Sequence, residues 1–259
     1  MAIPVGIVTF NGLDVLKKCL DTWICDDRYE LYIYDNGSDR ETVEWLDNEL
    51  VRHHRFVWLE KSPVNKGTYF ARNRLIESMM KRTNSNLFVL MDSDIEFFPH
   101  SIDLMRDAIL QRDDIGMVGF NESNMGFEIN VEGFVEELTG ECIMFRRELF
   151  QEIGGFNELL TYYSGDSHFC TKANMHGWKI RPILKDGYIH HKHTSHTNKG
   201  VLDIRAKDVD HWKSIDSHME KYWANRLVCG KGHFQKTAHQ KKLATKICNL
   251  AKVMNELIS

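Results

Sequence analysis

Two carboxylates separated by one residue, Asp92 and Asp94, follow directly after the apolar run of residues 87–91. Carboxylates with open coordination positions are preferred ligands of Mg²⁺ and Mn²⁺, and substrate phosphates and water often complete the shell of these hard ions. An Asp-X-Asp triplet alone occurs by chance in many proteins. At the end of a buried strand, however, it predicts a site for a metal-bound diphosphate.

Polar residues also follow three earlier strand-like runs, at residues 9–12, 35–39 and 65–67. Each group alone is typical of a turn, because Asn, Asp, Gly and Ser favour turn conformations. In an open parallel sheet, however, ligands bind beyond the carboxyl ends of the strands. Four such groups in succession therefore predict a binding site along one edge of a sheet.

The elements that must position these residues alternate through the first 120 positions. Short apolar or β-branched runs are followed by segments of helical period, which is typical of a mostly parallel sheet flanked by helices. Strands are predicted at residues 3–9, 31–34, 55–60, 87–91 and 116–120. Helices are predicted between the first four, at 147–153 and after Asp166.

Composition bounds the class of protein. Of the 259 residues, 42% are hydrophobic and 27% are charged, which supports a folded core and excludes a chain disordered throughout. No apolar run approaches the roughly 18 residues that a bilayer span needs, and the start lacks a signal-peptide pattern. The six Cys form no CxxC pair, which is typical of reduced thiols. We therefore expect a soluble, cytoplasmic protein.

Charge is unevenly distributed along the chain. Residues 185–259 carry 14 Lys and Arg against 7 Asp and Glu, although the formal net charge of the whole is -4. This indicates contact with nucleic acid, lipid phosphate or a phosphorylated substrate, or simply solvated helix faces. We predict two domains, a catalytic domain at 1–200 and a basic helical extension at 201–259. An amphipathic helix from about residue 236 would pack on its own domain, form a dimer contact or lie peripherally on an anionic membrane.

The order of these motifs resembles family 2 glycosyltransferases of the GT-A fold. Residues 35–39 resemble the family's second-strand Asp-Asn-(Gly/Ser)-Ser-x-Asp motif, residues 65–67 with 71–73 resemble its Asn-x-Gly…Ala-Arg-Asn segment, and residues 92–94 match its metal motif. Residues 139–147 and 154–158 resemble the segment before its catalytic motif. The resemblance covers about residues 3–196. It implies a Rossmann-like, mostly parallel sheet flanked by helices, here with a C-terminal helical extension.

Carried over position by position, the resemblance also implies site residues. Asp166 would be the general base, and Asp94, Asp92 and His190 would hold Mn²⁺ or Mg²⁺. Gly140, Glu141 and Trp178 would lie on the acceptor side. The residues that would bind the nucleotide sugar, with Asp35 at the base, are Thr9, Phe10, Asn11, Asp35, Asn65, Gly67, Arg72, Asp92 and Ser93.

Three of these assignments depart from the pattern or have an alternative. Gly165 stands where the family usually has Glu, and His168 stands where a second Asp is frequent. The His-rich stretch at 190–196 could be a metal site or a solvated loop; His190 fits the family best, with His191 and His193 as alternatives. A Trp in the position of Trp178 is more often a core anchor than a sugar-stacking platform.

The resemblance implies a metal-dependent, inverting glycosyltransferase that moves a sugar from a nucleoside-diphosphate donor, most simply a UDP-sugar. The acceptor would be a hydroxyl on a bacterial glycan or lipid-linked sugar. The basic last third also allows a phage-type transferase acting on hydroxymethylated DNA. A third alternative, suggested by Gly165, is a nucleotide-sugar-binding module without catalysis.

Overall fold

The computed structural model describes residues 2–21, 28–48, 50, 56–97, 100–120, 129–161, 165–183 and 189–191. Side chains of residues 56, 57, 97 and 189–191 lie outside this description. The predicted extension at 201–259 lies outside it as well, so the division into two domains stays a prediction.

Strands and helices alternate along the first part of the described chain. The strands are β1 Ile3–Thr9, β2 Tyr29–Asp35, β3 Phe56–Lys61, β4 Leu87–Asp92, β5 Ile95–Phe97, β6 Ile115–Phe120, β7 Cys142–Arg146, β8 Lys179–Ile183 and β9 Ile189–His191. The helices are α1 Leu13–Asp21, α2 Arg40–Asn48, α3 Thr68–Arg82, α4 Ser101–Ile109, α5 Arg147–Ile153 and α6 Gly165–Met175.

The main sheet has the strand order β3-β2-β1-β4-β7-β6-β8. All neighbouring strands in it are parallel except for β7, which runs antiparallel to both β4 and β6. The predicted mostly parallel sheet is therefore confirmed, with one reversed strand that the alternating pattern does not predict.

Helices cover both faces of this sheet. One face packs against α1 and α4, whose buried side chains, such as Leu16 and Met105, join those of Val5 and Ile7 in one cluster. On the other face Gly6 lies against Leu75 of α3. A central strand with two covered faces needs apolar residues at nearly every position, which explains the unbroken apolar runs of β1 and β4.

Three parallel strands end at the same edge of the sheet. Thr9, the last residue of β1, pairs with Asp35 at the end of β2, and Val8 pairs with Asp92 at the end of β4. The reversed strand β7 begins at this edge with Cys142. The edge therefore collects the segments that the sequence predicts to be functional. No helix within the described residues is long and apolar enough to cross a bilayer.

Candidate active site

Hydrogen bonds join the loops that follow β1 and β2. The backbone amide of Asn11 donates to Oγ of Ser38 at 2.8 Å, and the amide of Asp39 donates to Oδ1 of Asn11 at 2.7 Å. Asp39 also caps α2, because its Oδ1 accepts from the amide of Thr42 at 2.9 Å. Asn11 thus holds the two loops together at the edge where β1 and β2 end.

The loop before α3 is attached to the same edge through Asn36. Its Nδ2 donates to Oδ1 of Asn65 at 3.0 Å and to the carbonyl of Gly67 at 3.2 Å, while its Oδ1 accepts from the amide of Lys66 at 3.0 Å. The Asn65 side chain also accepts from the amide of Gly67 at 2.8 Å. Asn65 and Gly67, both predicted to bind nucleotide, are therefore brought to this edge with their polar groups engaged in shaping the loop.

Thr9 and Asp35 leave two polar atoms without a protein partner. Both residues are fully buried and lie side by side in the β1–β2 ladder. The amide of Ser38 reaches one carboxylate oxygen of Asp35 at 3.3 Å, but Oδ1 of Asp35 and Oγ1 of Thr9 have no hydrogen-bond partner among the described residues. A buried polar group without a partner costs free energy, so this pair of atoms suits a ligand that supplies N–H or O–H groups. Phe10 is 40% exposed beside them.

Arg72 of α3 joins the end of β4 to the start of α6. Its Nη2 lies 2.7 Å from Oδ1 of Asp92 and 2.8 Å from the carbonyl oxygen of Gly140, and its Nη1 lies 2.8 Å from Oδ1 of Asp166. The Arg72 side chain is only 5% exposed, whereas Asp92 and Asp166 are 32% and 29% exposed. One buried cation therefore holds two carboxylates that are separated by 74 positions in sequence, and both remain open to solvent.

The charges of this cluster depend on one another. Burial opposes the charge of Arg72, but the carboxylates of Asp92 and Asp166 raise the pKa of its guanidinium, which stays cationic. Burial also raises the pKa of Asp92; Arg72 lowers it, and the charge of Asp94 raises it again. The end of β4 is thus a place where two carboxylates repel each other and where added positive charge is favourable.

Gly140 and Glu141 lie at this site through their backbones. The amide of Gly140 donates to Oδ2 of Asp166 at 3.2 Å, and the amide of Asp92 donates to the carbonyl of Glu141 at 2.8 Å. A Cβ on Gly140 would lie 2.4 Å from Nη1 of Arg72 and 2.5 Å from Oδ1 of Asp166. Only glycine therefore lets the segment before β7 approach the two charged groups.

The carboxylates at the end of β4 fit a hard divalent cation. Asp92 and Asp94 provide oxygen ligands and a local excess of negative charge. No set of three or more His, Cys, Asp or Glu side chains in the described part of the chain forms a complete metal site. His190 lies in β9, where it pairs with Glu96 two residues after Asp94. Its side chain lies outside the description, as does all of His193, so the choice among His190, His191 and His193 stays a prediction.

The structure does not bring Trp178 to this edge. Trp178 immediately precedes β8, which is parallel to β6, and its ring packs against Gly116 at the start of β6. Its Nε1 donates to Oε2 of Glu152 at 2.8 Å. The starts of these strands are at the opposite edge from Asp92, so the alternative interpretation of Trp178 as a packing residue is the one that matches its position.

The sequence motifs do not indicate Tyr69, and they include Asn73 only as the end of the Ala-Arg-Asn segment, without a role. Tyr69 lies one turn before Arg72 on α3, is 2% exposed and contacts Gly165 at the start of α6. Asn73 donates to the carbonyl of Phe156 at 2.9 Å and to Oε1 of Glu158 at 2.8 Å. The available signal is helical spacing from Arg72, which places Tyr69 on the same face of α3.

A family model described as "Glycosyl transferase family 2" matches residues 5–154. Among curated proteins, the "O-antigen biosynthesis protein RfbC" of Myxococcus xanthus is 24% identical over 247 residues, which cover 79% of this chain. The "Uncharacterized protein y4gI" of Sinorhizobium fredii (strain NBRC 101917 / NGR234) is 23% identical over 258 residues, which cover 83% of it. This chain spans only 18% and 28% of the lengths of these two relatives.

Solved structures with the same fold include one protein bound to a nucleotide sugar and one bound to a nucleotide. The mannosyltransferase PcManGT from Pyrobaculum calidifontis, in complex with GDP-Man and Mn²⁺, superimposes with a TM-score of 0.61 at 18% identity, covering 97% of this chain and 75% of that one. Residues 1–349 of TarS from S. aureus, in complex with UDP, give 0.54 at 17% identity, covering 73% and 60%. At this level of identity the likeness shows a shared GT-A fold.

Proposed function

The chain belongs to glycosyl transferase family 2, and we propose that it transfers a sugar from a nucleoside-diphosphate donor to an acceptor hydroxyl with inversion at the anomeric carbon. The observation that carries the proposal is the bridge formed by Arg72. It holds both Asp92, beside the predicted diphosphate site, and Asp166, the predicted base, while both carboxylates stay partly exposed. A transferase needs both groups within reach of one sugar.

The nucleotide would bind where β1 and β2 end. A carboxylate only accepts hydrogen bonds, so the unpartnered Oδ1 of Asp35 would take an N–H group of the base. Uracil, thymine and guanine each carry a ring N–H that can donate there, whereas cytosine can donate only through its exocyclic amino group. UDP remains the simplest choice of nucleotide. Phe10 is exposed enough to contact the base.

Asp166 would act as the general base of the transfer. One of its oxygens accepts from Arg72 and the other from the amide of Gly140, and each carboxylate oxygen has a second lone pair for the acceptor hydroxyl. The acceptor oxygen would attack the anomeric carbon as its proton passes to Asp166, and the bond from that carbon to the diphosphate oxygen would break. A single displacement of this kind inverts the anomeric centre.

Asp92, Asp94 and His190 would hold Mn²⁺ or Mg²⁺, which supplies positive charge opposite the leaving diphosphate. Arg72 would orient Asp92 toward the metal and oppose the rise in the pKa of this carboxyl that burial and Asp94 cause, because the pair is hydrogen-bonded at 2.7 Å. We propose a bacterial glycan or lipid-linked sugar as the acceptor, which is supported by the family and by the O-antigen biosynthesis protein among the relatives.

The test is a donor screen on the full chain. Thermal shift measures the binding of UDP, GDP, CDP and dTDP, each with and without Mn²⁺. Release of nucleoside diphosphate measures transfer from the corresponding nucleotide sugars to glycan acceptors. We expect UDP or GDP to stabilise the protein, more strongly with metal, because a ligand that binds only the folded state raises its stability. Asp94→Ala should abolish the additional stabilisation that the metal provides, whereas Asp113→Ala, at an exposed carboxylate, should not. Metal-dependent nucleotide binding without release from any sugar donor would instead identify a binding module.

A further inference from the structure

The start of α6 departs from the resembled motif at Gly165, where a Glu is usual. A Cβ built on Gly165 would lie 2.3 to 2.4 Å from carbon atoms of the Tyr69 ring, closer than any real side chain can approach. The ring is fixed, since it is 2% exposed and stacks on Phe156 with ring centroids 5.6 Å apart. Tyr69 therefore fills the volume that a side chain at position 165 would need.

The hydroxyl of Tyr69 reaches the backbone of the same helix start. It forms hydrogen bonds with the backbone of Gly165 and of Asp166. Burial, followed by the charge of Asp166, raises the pKa of the phenol well above its usual value, whereas these two hydrogen bonds lower it. A hydrogen bond that lowers the pKa of a phenol is one that is donated to the phenol oxygen. The backbone amides therefore donate, and the hydroxyl oxygen of Tyr69 accepts. The first amides of a helix have no partner within it. Tyr69 supplies that partner where α6 begins.

Tyr69 and Arg72 act on Asp166 from one helix. They lie three positions apart on α3 and so on the same face of it. Tyr69 contacts the Asp166 backbone, whereas Arg72 holds its carboxylate at 2.8 Å. The amide of Gly140 binds the second carboxylate oxygen at 3.2 Å. Asp166 is thereby fixed at its backbone and at both of its oxygens.

We propose that Tyr69 is a positioning residue for Asp166, because its ring fills the space beside Gly165 and its hydroxyl binds the backbone at the start of α6. The inference rests on the proposed function, in which Asp166 accepts the proton of the acceptor hydroxyl. It also explains why Gly165 need not signal lost catalysis. The glycine is required by the ring that packs on it.

The test compares Tyr69→Phe with Tyr32→Phe. The first variant keeps the buried ring and removes only the hydroxyl that contacts α6. The second removes a hydroxyl at a fully buried ring of β2, where its partner is Glu30 at 3.5 Å. We expect Tyr69→Phe to lower kcat roughly 10- to 100-fold, as small displacements of a reacting group do. KM for the donor and nucleotide affinity should stay unchanged. Tyr32→Phe should leave kcat and KM at the wild-type values.

A double-mutant cycle with Asp166→Asn separates positioning from general stability. If Tyr69 acts through Asp166, Tyr69→Phe has no further effect on the residual kcat of Asp166→Asn. An equal loss in both backgrounds would overturn the inference, and so would a Tyr69→Phe enzyme with wild-type kcat. Wild-type protein that transfers sugar from no donor would instead overturn the proposed function. Gly165→Ala is a second variant, expected to lower kcat in the same way because its Cβ displaces the Tyr69 ring.

Discussion

Asp166 is the residue on which the chemistry depends most directly. Its carboxylate accepts from Arg72 and from Gly140 and is 29% exposed, so it is held in place yet open to an acceptor. We expect Asp166→Asn to reduce kcat by roughly 10² to 10⁴, the contribution of a general base. Donor affinity should stay nearly intact, since the nucleotide edge lies at β1 and β2. Steady-state kinetics with nucleotide titration measures both, and normal turnover would move the role of base to Glu141 or Glu158.

Substitution of Asp35 should affect nucleotide binding and protein stability differently. Its Oδ1 is buried without a partner among the described residues, which lowers the free energy of unfolding. A ligand that donates a hydrogen bond to this atom restores the lost stability. Asp35→Asn should weaken nucleotide binding at least tenfold, because a hydrogen bond to a charged group contributes about 1.5–3 kcal/mol.

The unliganded Asp35→Asn protein should melt no lower than the wild type, since the change removes a buried charge without losing a strong partner. Calorimetric titration and thermal melts measure the two effects, with exposed Asp113→Asn as the control. A variant that keeps full nucleotide affinity would place the base elsewhere.

At the residue scale, the sequence identifies those site residues whose neighbours in the chain carry a motif. Asp35, Asp92 and Asp94 follow strands, and the structure brings the first two to one edge. Tyr69 could not be found in this way, because its role arises from contact with residues almost a hundred positions away. Trp178 shows that the type of a residue does not by itself predict its position in the fold. Its residue type suits sugar binding, but the direction of β8 places it at the other edge.

Among the elements, α3 does most to assemble the site, since Arg72 and Tyr69 both reach α6 from it. The segment before β7 must pass close to this helix, and Gly140 allows the approach. We expect Gly140→Ala to lower kcat about 100-fold, because its Cβ would displace Arg72 and Asp166 from each other.

Gly154→Ala is the matched control for Gly140→Ala. Gly154 has φ +73° and no atom within 4 Å of an added Cβ. The change should therefore cost about 1–3 kcal/mol of stability through backbone strain and leave kcat unchanged. Melting temperature and kcat measured on both variants test this. If the two glycine variants lose activity in proportion to stability, the close approach at Gly140 has no special role.

The elements up to β6 are largely predictable, except for β5 and α4, for which the sequence analysis predicts no element. The predicted strands at 3–9 and 116–120 correspond to β1 and β6, because strands covered on both faces read as continuous apolar runs. The reversed strand β7 was not predicted, since apolar periodicity is the same for either strand direction. Its reversal matters for function, because it brings Gly140 and Glu141 to the edge where Asp92 lies.

At the scale of the whole molecule, charge is the feature that bears on the acceptor. Residues 185–259 carry an excess of 7 positive charges, while the preceding 184 residues carry 19 Lys and Arg against 30 Asp and Glu. A basic segment that follows a longer acidic one in sequence suits an acceptor with few, localised phosphates, such as a lipid-linked sugar. Duplex DNA, with its continuous phosphates, would be repelled by the larger acidic part.

An electrophoretic shift assay with duplex DNA containing hydroxymethylated bases tests this expectation on the full chain. When a protein neutralises Z phosphates of DNA, the logarithm of its association constant falls with the logarithm of the salt concentration, with a slope of about -0.9Z. We expect no such slope down to low salt, together with binding to vesicles that carry anionic lipid. A slope that corresponds to several phosphate contacts, together with sugar transfer to the modified base, would show that the acceptor is DNA and not a glycan. Asp35, Asp92 and Asp166 would keep their proposed roles in either case, because they precede the basic segment in sequence.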